Sequence, residues 1–549
     1  MSGAYAADPV TAHWSADPRA ALVPWPTELI PHPGRYAIPA ALILSAGHGA
    51  ERAADLLAGY LGRDWTGADT GESRGIRLEL SPAAQREGPE SYLLEIRPDR
   101  VTLTAPSESG LFYGVQTLRQ LLPAAADPDA APREAWAWPC LTIRDAPLLP
   151  WRGVLLDVAR HFMPLDFLYR FVDLLALHKL NVLHLHLTDD QGWRIEIDGF
   201  PLLTEVGAWR AESMIGPAGG DRFDGVPHGG YYTRRELRAL VRYAAGRGVR
   251  VVPEIDMPGH TRAALAAYPH LGNDPARRLP VWTGWGVSED ILGVHDEALD
   301  FCREVLAQTI DIFPGRYIHI GGDECPTTGW ETSEVAWRRA KRLGLGAAAE
   351  LHGWFLSTMR DFLVQHGRRA VCWDETGHSV GPRMPTDIAL TAWRDPAHGT
   401  QAIRRGHQVI MAPHLSTYFD YPQRDHPDEP PGHPEGITTL ADVYRFEPLA
   451  GGLPIADPDD GLRPGVLGTQ AQLWTEFAPT PEHVEYLAFP RLCALAEIAW
   501  SGPASGSAGG DRGERRDFKQ FSARLAQHVT LLRALGVPVG SATAETMDG

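Results

Sequence analysis

Residues 317–326 read Y-I-H-I-G-G-D-E-C-P, Tyr317 to Pro326. A short apolar run, Tyr317 to Ile320, has strand character; two glycines follow, and then two adjacent carboxylates, Asp323 and Glu324. Neighbouring residues on a regular strand point to opposite faces. Both acids can line one pocket only where the strand ends or bulges, and Gly321 and Gly322 allow such a backbone. An Asp-Glu pair at a strand exit suits acid/base chemistry on a neutral polar substrate. A plainer reading of one D-E dipeptide is a strand end whose acids cap a helix or face water, the commoner situation for carboxylates. The flanking sequence decides between the two.

Outward from this stretch, from Trp151 on, short β-like runs alternate with helical patterns. The strand candidates are Gly153 to Asp157, Asn181 to Leu187, Arg250 to Ile255, Tyr317 to Ile320, Ala370 to Trp373, Ile388 to Trp393, Gln408 to Ala412 and Val466 to Gln470. Pro164 opens a helix with an apolar stripe at Leu168, Phe171, Val172 and Leu175. Thr233 with Glu236 forms a capping box ahead of Leu237, Leu240 and Val241. Strand–helix units repeated in this way over residues 150–502 predict an α/β fold, a (β/α)8 TIM barrel with long loop insertions. An open doubly wound sheet is the alternative, but no G-x-G-x-x-G loop follows the first strand.

Residues 1–140 read as a small α/β domain preceding the barrel. Gly75 to Ser81, Tyr92 to Ile96 and Val101 to Thr104 alternate apolar and polar residues, and Glu108 to Leu122 has helical spacing. Pro123 to Arg133 has the composition of a linker, as does the Gly/Ser stretch Ser501 to Gly513. Within 514–549, Phe518, Phe521, Leu525, Val529 and Leu532 mark an amphipathic helix expected to pack on the barrel. Two insertions, Gly216 to Gly230 and Tyr421 to Pro464, are expected to be βα loops on the active-site face that set the accepted leaving sugar.

Composition narrows the function. A chain of 549 residues accommodates two or three domains, and 44% apolar with 22% charged residues is ordinary for a soluble globular protein. The net charge of −18 disfavours a nucleic-acid or anionic-membrane partner. Seventeen tryptophans exceed what a core needs and fit a protein that stacks ring-shaped ligands. The five cysteines are odd in number, widely spaced and free of any C-x-x-C, which argues against a disulfide framework or zinc site. M-S-G-A-Y-A-A-D-P-V has no signal-peptide character, and no apolar run of about 18 residues suggests a membrane span. A cytoplasmic enzyme is the expectation, with oligomeric state left open.

Side chains at the C-terminal ends of barrel strands build the active site. Those ends read D-V-A-R-H (Asp157 to His161), H-L-H-L-T-D-D (His184 to Asp190), E-I-D-M-P-G-H (Glu254 to His260), G-G-D-E, W-D-E (Trp373 to Glu375), Trp393, S-T-Y-F-D-Y (Ser416 to Tyr421) and Q-A-Q-L-W-T-E (Gln470 to Glu476). Carboxylates, an arginine, tryptophans and a tyrosine converge. Aromatic faces suit the C–H side of a sugar ring and charged planar groups its hydroxyls. His184 and His186 form an H-x-H that on a barrel strand can bind metal. The Thr-Asp-Asp exit lies beyond both, so they read as satisfied interior histidines. Cys325 follows the acid pair without a base and reads as inert.

R-G-V-L-L-D-V-A-R-H-F-M-P, N-V-L-H-L-H-L-T-D-D-Q-G-W-R, E-I-D-M-P-G-H, H-I-G-G-D-E-C and L-W-T-E resemble, in that order, the signatures of family 20 glycoside hydrolases, the β-N-acetylhexosaminidases. The N-terminal residues are similar to that family's small α/β domain. The resemblance implies a retaining exo-glycosidase releasing terminal non-reducing β-linked N-acetylhexosamine, GlcNAc with GalNAc left open. Most retaining glycosidases place two carboxylates about 5 Å apart across the bond; this family instead uses the substrate's own 2-acetamido oxygen to attack C1, through an oxazolinium intermediate.

Carried over residue by residue, the resemblance implies that Glu324 is the acid/base and that Asp323 holds the acetamide N–H and balances the developing positive charge. It implies that Tyr418 donates to the acetamido oxygen, and that Trp354, Trp373 and Trp474 wall the acetamide and stack the ring. Arg160 would clamp hydroxyls, Asp420 and Glu476 would take the far hydroxyls, and Asp189 with His260 would support the acid/base. Plainer roles compete: a barrel-bottom ion pair for Arg160, and core packing for Trp354 in L-H-G-W-F-L. No cofactor and no metal are expected, and the partner is an oligosaccharide or glycoside. The rivals are a metal-dependent barrel amidohydrolase using His184 and His186, and a non-catalytic sugar-binding protein.

Overall fold

A computed structural model describes residues 22–65, 75–82, 88–122, 136–375, 384–458, 462–501 and 517–540. The chain divides into two compact units, Met1–Pro147 with Trp500–Gly549, and Leu148–Ala499. The linker expected at Pro123 to Arg133, and all of that expected at Ser501 to Gly513 except Ser501, which ends the helix Arg491–Ser501, lie outside the described residues.

In the first unit, strands β1 (Glu28–Ala37), β2 (Leu44–Ala46), β3 (Gly75–Leu80), β4 (Tyr92–Ile96), β5 (Arg100–Ala105) and β6 (Ala137–Asp145) form one sheet in the order β1-β6-β4-β5-β3-β2. Helices α1 (Glu51–Leu61) and α2 (Glu108–Gln120) share its core, in which Leu57, Leu94, Leu103 and Leu118 are fully buried. The alternation found in the sequence marks β3, β4 and β5, but misses β1, β2 and β6. β1 is an edge strand carrying Pro31, Pro33 and Gly34, with a register shift between Pro31 and Arg35, and proline at an edge costs no ladder bond. β2 has only three residues, and Pro139 interrupts β6.

The C-terminal helix, Phe518–Ala534, groups with this first unit: Arg524 Nη1 donates to the Leu22 carbonyl at 2.8 Å and the guanidinium lies over Trp25. An apolar stripe shows that a helix packs, not on what.

The second unit is a closed parallel barrel of β7 (Trp151–Asp157), β8 (Val182–His186), β9 (Arg250–Glu254), β10 (Tyr317–His319), β11 (Arg369–Trp373), β12 (Ala389–Ala392), β13 (Gln408–Met411) and β14 (Gly465–Leu473). All eight coincide with the strands expected from the sequence. Helices follow the strands; in Leu165–Leu177, Phe167, Leu168, Phe171, Val172 and Leu175 are buried. Arg234–Ala245 starts at the expected capping box, where Thr233 N–H donates to Glu236 Oε2 at 2.8 Å. Among the described residues no helix is long and apolar enough to cross a membrane.

Two interior layers position the site. The floor is apolar: Trp151, Val182, Val252, Tyr317, Val371, Ala389, Ile410 and Leu467 form one cluster. Two residues further along the strands the chemistry changes to His184, Glu254, His319 and Trp373. Register aligns Asp157 with His186, His186 with Glu254 and Glu254 with His319. Beyond them the strands end and the functional loops begin.

Candidate active site

β10 stops at His319, and the next residues leave strand geometry. Gly321 and Gly322 have φ of 62° and 91°, and Glu324 is a rare non-glycine residue at φ 41°. A Cβ at Gly321 would lie 1.7 Å from Asp256 Oδ1, so only glycine fits. His260, at φ 51°, is also left-handed. Such conformations cost about 1–3 kcal/mol each and persist where the surroundings over-determine them. The result is that adjacent acids face one point: His260 Nε2 lies 3.8 Å from Asp323 Oδ2 and 3.6 Å from Glu324 Oε2. The Glu324 amide donates to Glu375 Oε2 at 2.9 Å, and Glu375 is paired with Arg394.

Asp189 is the hub behind this pair. Its Oδ1 lies 3.1 Å from His260 Nδ1 and accepts the Asp190 amide at 2.6 Å. Its Oδ2 takes Arg160 Nη2 and His186 Nε2, each at 2.9 Å. Arg160 also faces Asp157 at 3.4 Å and Glu476 at 3.8 Å, donates to Gln191 at 3.1 Å, and lies 5.0 Å over the Trp474 ring. It follows β7 at the catalytic end, so it is not a barrel-bottom ion pair.

Aromatic residues close the other side. Trp474 is half-buried and packs on Trp373 at 5.8 Å and Tyr418 at 6.4 Å between ring centres. Tyr418 stacks on Trp393 at 6.0 Å. Trp373 is only 1% exposed and donates its Nε1–H to Glu254 at 2.9 Å, which makes it the bed under Trp474. Asp420 is buried, and the 421–464 loop runs against it: a Cβ at Gly432 would lie 2.6 Å from the Asp420 carbonyl oxygen. Trp354 is placed differently from the others, half-buried on the helix Leu351–Gln365 with the Arg339 guanidinium 5.2 Å from its ring.

The charges are set by burial and by one another. Burial opposes the His260 cation, but Asp189, Asp190 and Glu324 outweigh it and raise its pKa well above the ordinary value. Burial pushes Glu324 up, yet the close His260 imidazole prevails and lowers it. Asp323 is raised to about 7, chiefly by burial; His260 pulls it down while Glu254, Glu324 and Glu375 push it up. Burial and Glu476 raise Asp420 well above the usual carboxylate range. Burial also raises the Tyr418 phenol, keeping it a hydrogen-bond donor. Paired titratable groups driven apart in this way characterise acid/base sites.

His184, Glu254 and His319 offer atoms within 4.8 Å of one another, a donor set of the kind the metal-dependent reading needs. Each is already engaged. His184 Nδ1 faces Gln470 Nε2 at 3.0 Å and its Nε2 faces Glu254 at 3.1 Å, while His319 Nδ1 lies 2.9 Å from Glu254. Glu254, Asp157, Glu375 and Trp393 were in the strand-end strings without a role assigned. Their signal was position alone, an inward place at a strand's end.

A barrel whose catalytic face brings together paired carboxylates, one guanidinium and tryptophan faces defines a sugar-cleaving hydrolase. Residues 149–503 match "Glycosyl hydrolase family 20, catalytic domain" and residues 19–146 match "Glycosyl hydrolase family 20, domain 2". The chain belongs to glycosyl hydrolase family 20. It is 37% identical over 438 residues to a beta-hexosaminidase of Porphyromonas gingivalis, covering 79% of this chain and 52% of that protein, so the match spans about half of that relative's length. It is 35% identical over 494 residues to a beta-N-acetylhexosaminidase of Cellulomonas fimi, covering 88% of this chain and 87% of that protein. A solved Streptomyces coelicolor GH20 beta-N-acetylhexosaminidase superposes with TM-score 0.79 at 33% identity, over 96% of this chain and 98% of that one. A mutant Streptomyces plicatus beta-hexosaminidase in complex with product (GlcNAc) superposes with TM-score 0.78 at 33% identity, over 96% and 97% of the two chains.

Proposed function

We propose that the chain is a retaining exo-β-N-acetylhexosaminidase that removes a terminal, non-reducing GlcNAc from β-linked oligosaccharides such as chitooligosaccharides. The observation that carries this reading is the convergence of two adjacent carboxylates on His260 Nε2, at 3.8 and 3.6 Å, in a site that also holds the buried Tyr418 packed on Trp474. One acid serves the leaving group and the other serves the acetamido group.

In this reading Asp323 accepts the acetamide N–H and Tyr418 donates to the acetamide oxygen, aiming that oxygen at C1. As it attacks, the C1–O bond to the leaving sugar breaks and Glu324 protonates the departing oxygen. The oxazolinium ion carries positive charge next to Asp323, which stabilises it as a carboxylate. Glu324 then takes a proton from water, which opens the ring with configuration retained. Trp474 supports the sugar face, and Arg160, Asp420 and Glu476 take hydroxyls.

The surroundings of His260 and Glu324 favour protonation of the first and ionisation of the second, the reverse of what the first step needs. A bound disaccharide removes water from Glu324 and offers its carboxyl a neutral oxygen, which favours transfer of the proton from His260 Nε2. The acetamide N–H and the developing cation favour ionised Asp323 in the same event. Hydrolysis of 4-nitrophenyl N-acetyl-β-glucosaminide tests the reading. Cleavage of the corresponding glucoside, which lacks the acetamide, at an equal rate would overturn it.

A further inference from the structure

We propose that Glu254 and His186, buried below the sugar pocket, are positioning residues for the acid/base step: they form a fixed ion pair whose cation compensates Asp189 and so leaves His260 free to pass its proton to Glu324. The inference rests on the hexosaminidase reading above.

Glu254 is fully buried and engaged at both oxygens. Oε1 accepts from Trp373 Nε1 and faces His319 Nδ1, each at 2.9 Å. Oε2 lies 2.6 Å from His186 Nδ1 and 3.1 Å from His184 Nε2. Indole N–H can only donate, so Oε1 accepts, and the charges of His319, His186 and His184 outweigh burial and hold the carboxyl well below its usual range, as an anion.

The state of His184 follows from its neighbours. Trp151 Nε1 donates to Gln470 Oε1 at 3.1 Å, which turns the Gln470 amide nitrogen toward His184 Nδ1 at 3.0 Å. His184 Nδ1 is therefore the acceptor and Nε2–H the donor, a neutral ring; burial lowers its pKa to about 4. The cation that balances Glu254 is not His184.

His186 is different, because each of its nitrogens faces a carboxylate: Nδ1 faces Glu254 at 2.6 Å and Nε2 faces Asp189 at 2.9 Å. A neutral imidazole has one N–H and would set a lone pair against one of these oxygens; only the imidazolium satisfies both. Burial works against that cation, and Glu254 with Asp189 outweighs it.

Asp189 thus carries two fixed cationic donors on Oδ2, Arg160 and His186. Its remaining pull on a third cation, His260 at Oδ1, is reduced. The other groups around the relay are Asp190, with Oδ2 3.4 Å from His260 Nδ1, Asp323 and Glu324 at Nε2, the Trp474 edge on His186, and Asp256. Burial and Asp323 raise Asp256 well above the usual range. Removing the pair leaves Asp189 less compensated, fixes the proton on His260 and starves Glu324 of it.

The test compares leaving groups in the full-length enzyme. Glu254→Gln and His186→Gln keep size but remove the charges. Chitobiose needs its leaving oxygen protonated; 2,4-dinitrophenyl N-acetyl-β-glucosaminide does not. With general acid catalysis worth about 10²–10⁴-fold, kcat/KM for chitobiose should fall about tenfold or more beyond any fall for the dinitrophenyl substrate. A merely structural role lowers both equally, and equal losses overturn the proposal. If Glu254→Gln fails to fold, His186→Gln decides. Neutron diffraction on the wild type at pH 7 is a readout independent of any variant: deuterons on both His186 nitrogens are expected, and a bare nitrogen refutes the ion pair. A wild type that cleaves neither sugar sinks the hexosaminidase reading; an active wild type with unbiased variants sinks only this inference.

Discussion

The floor and the middle layer of the barrel are made by the same strands, two residues apart, yet they obey opposite rules. β8 carries Val182 and then His184 and His186; β9 carries Val252 and then Glu254; β11 carries Val371 and then Trp373. On the floor, burial of each aliphatic side chain is favourable by itself and needs no particular partner. One step up, each buried polar atom must find a partner or lose several kcal/mol. Buried ion pairs add little net stability over well-packed apolar residues. The contrast teaches that the floor holds the barrel closed while the layer above it is kept for the chemistry at its mouth.

The comparison breaks most visibly at the top of the polar layer. Glu324→Gln should leave the fold and sugar binding intact and abolish leaving-group protonation, a loss of about 10²–10⁴-fold in kcat on chitobiose. The loss should be much smaller on a dinitrophenyl glycoside. Equal losses on both would remove the acid role from Glu324.

Which of these rules could be read from the sequence differs by layer. Short β-like runs in a strand–turn–helix rhythm located every barrel strand, because burial on the floor leaves an apolar trace. The strand-end strings located Asp323, Glu324, Tyr418, Arg160 and Asp189, because side chains at those ends have one place to go. Glu254 stood in plain view in E-I-D-M-P-G-H, but its meaning needs three other strands: His184 and His186 from β8, His319 from β10 and Trp373 from β11. Trp354 illustrates the converse limit. Its helix could be read, but which neighbour its ring meets, Arg339 on the preceding helix Glu334–Arg342, depends on how two helices meet, which no period records. The prolines of β1 and β6 hid those strands for a third reason: edge and bulge positions tolerate residues that normally argue against a strand.

Asp323→Asn sharpens the comparison, since it removes charge while keeping shape. It should lower kcat/KM by roughly severalfold to several hundredfold, about 1–4 kcal/mol for one lost electrostatic contact. A thiazoline analogue of the cyclised sugar should inhibit the wild type strongly and this variant much less. Unchanged thiazoline affinity would reassign Asp323 to a structural role. Activity of the wild type should also persist after dialysis against a chelator; activity that vanished and returned with zinc would instead favour the donor set around Glu254.

Acid should distinguish the layers by thermodynamics. His184, buried and neutral, has a folded pKa of about 4 against 6.5 unfolded. The unfolded chain therefore binds the extra proton first as pH falls. His184's contribution is full above pH 6.5 and is lost between 6.5 and about 4, by up to about 3 kcal/mol. His161 and His352, also lowered to about 4 by burial, act in the same direction. Denaturant titrations at pH 7 and pH 4.5 should show a smaller pH-dependent loss in His184→Gln than in the wild type. Identical losses would mean that His184 is already charged in the fold.

The smallest expected effect belongs to the floor. Ile410 is 1% exposed and packs in the apolar cluster with Val371, Ala389 and Leu467. Ile410→Val deletes one methylene and should cost about 0.5–1.5 kcal/mol, the lost transfer energy plus a small cavity. Because no hydrogen bond or charge in the layer above depends on that methylene, kcat/KM and its leaving-group dependence should stay within about twofold of the wild type, as surface-neutral and site-neutral changes do. His186→Gln should give the mirror image, with leaving-group dependence altered more than stability. The two variants form a cross of two layers by two readouts, stability by denaturant midpoint and chemistry by paired substrates. If Ile410→Val shifted the leaving-group dependence as His186→Gln is expected to, the layers would be mechanically coupled, and the separation of barrel closure from catalytic chemistry would fail.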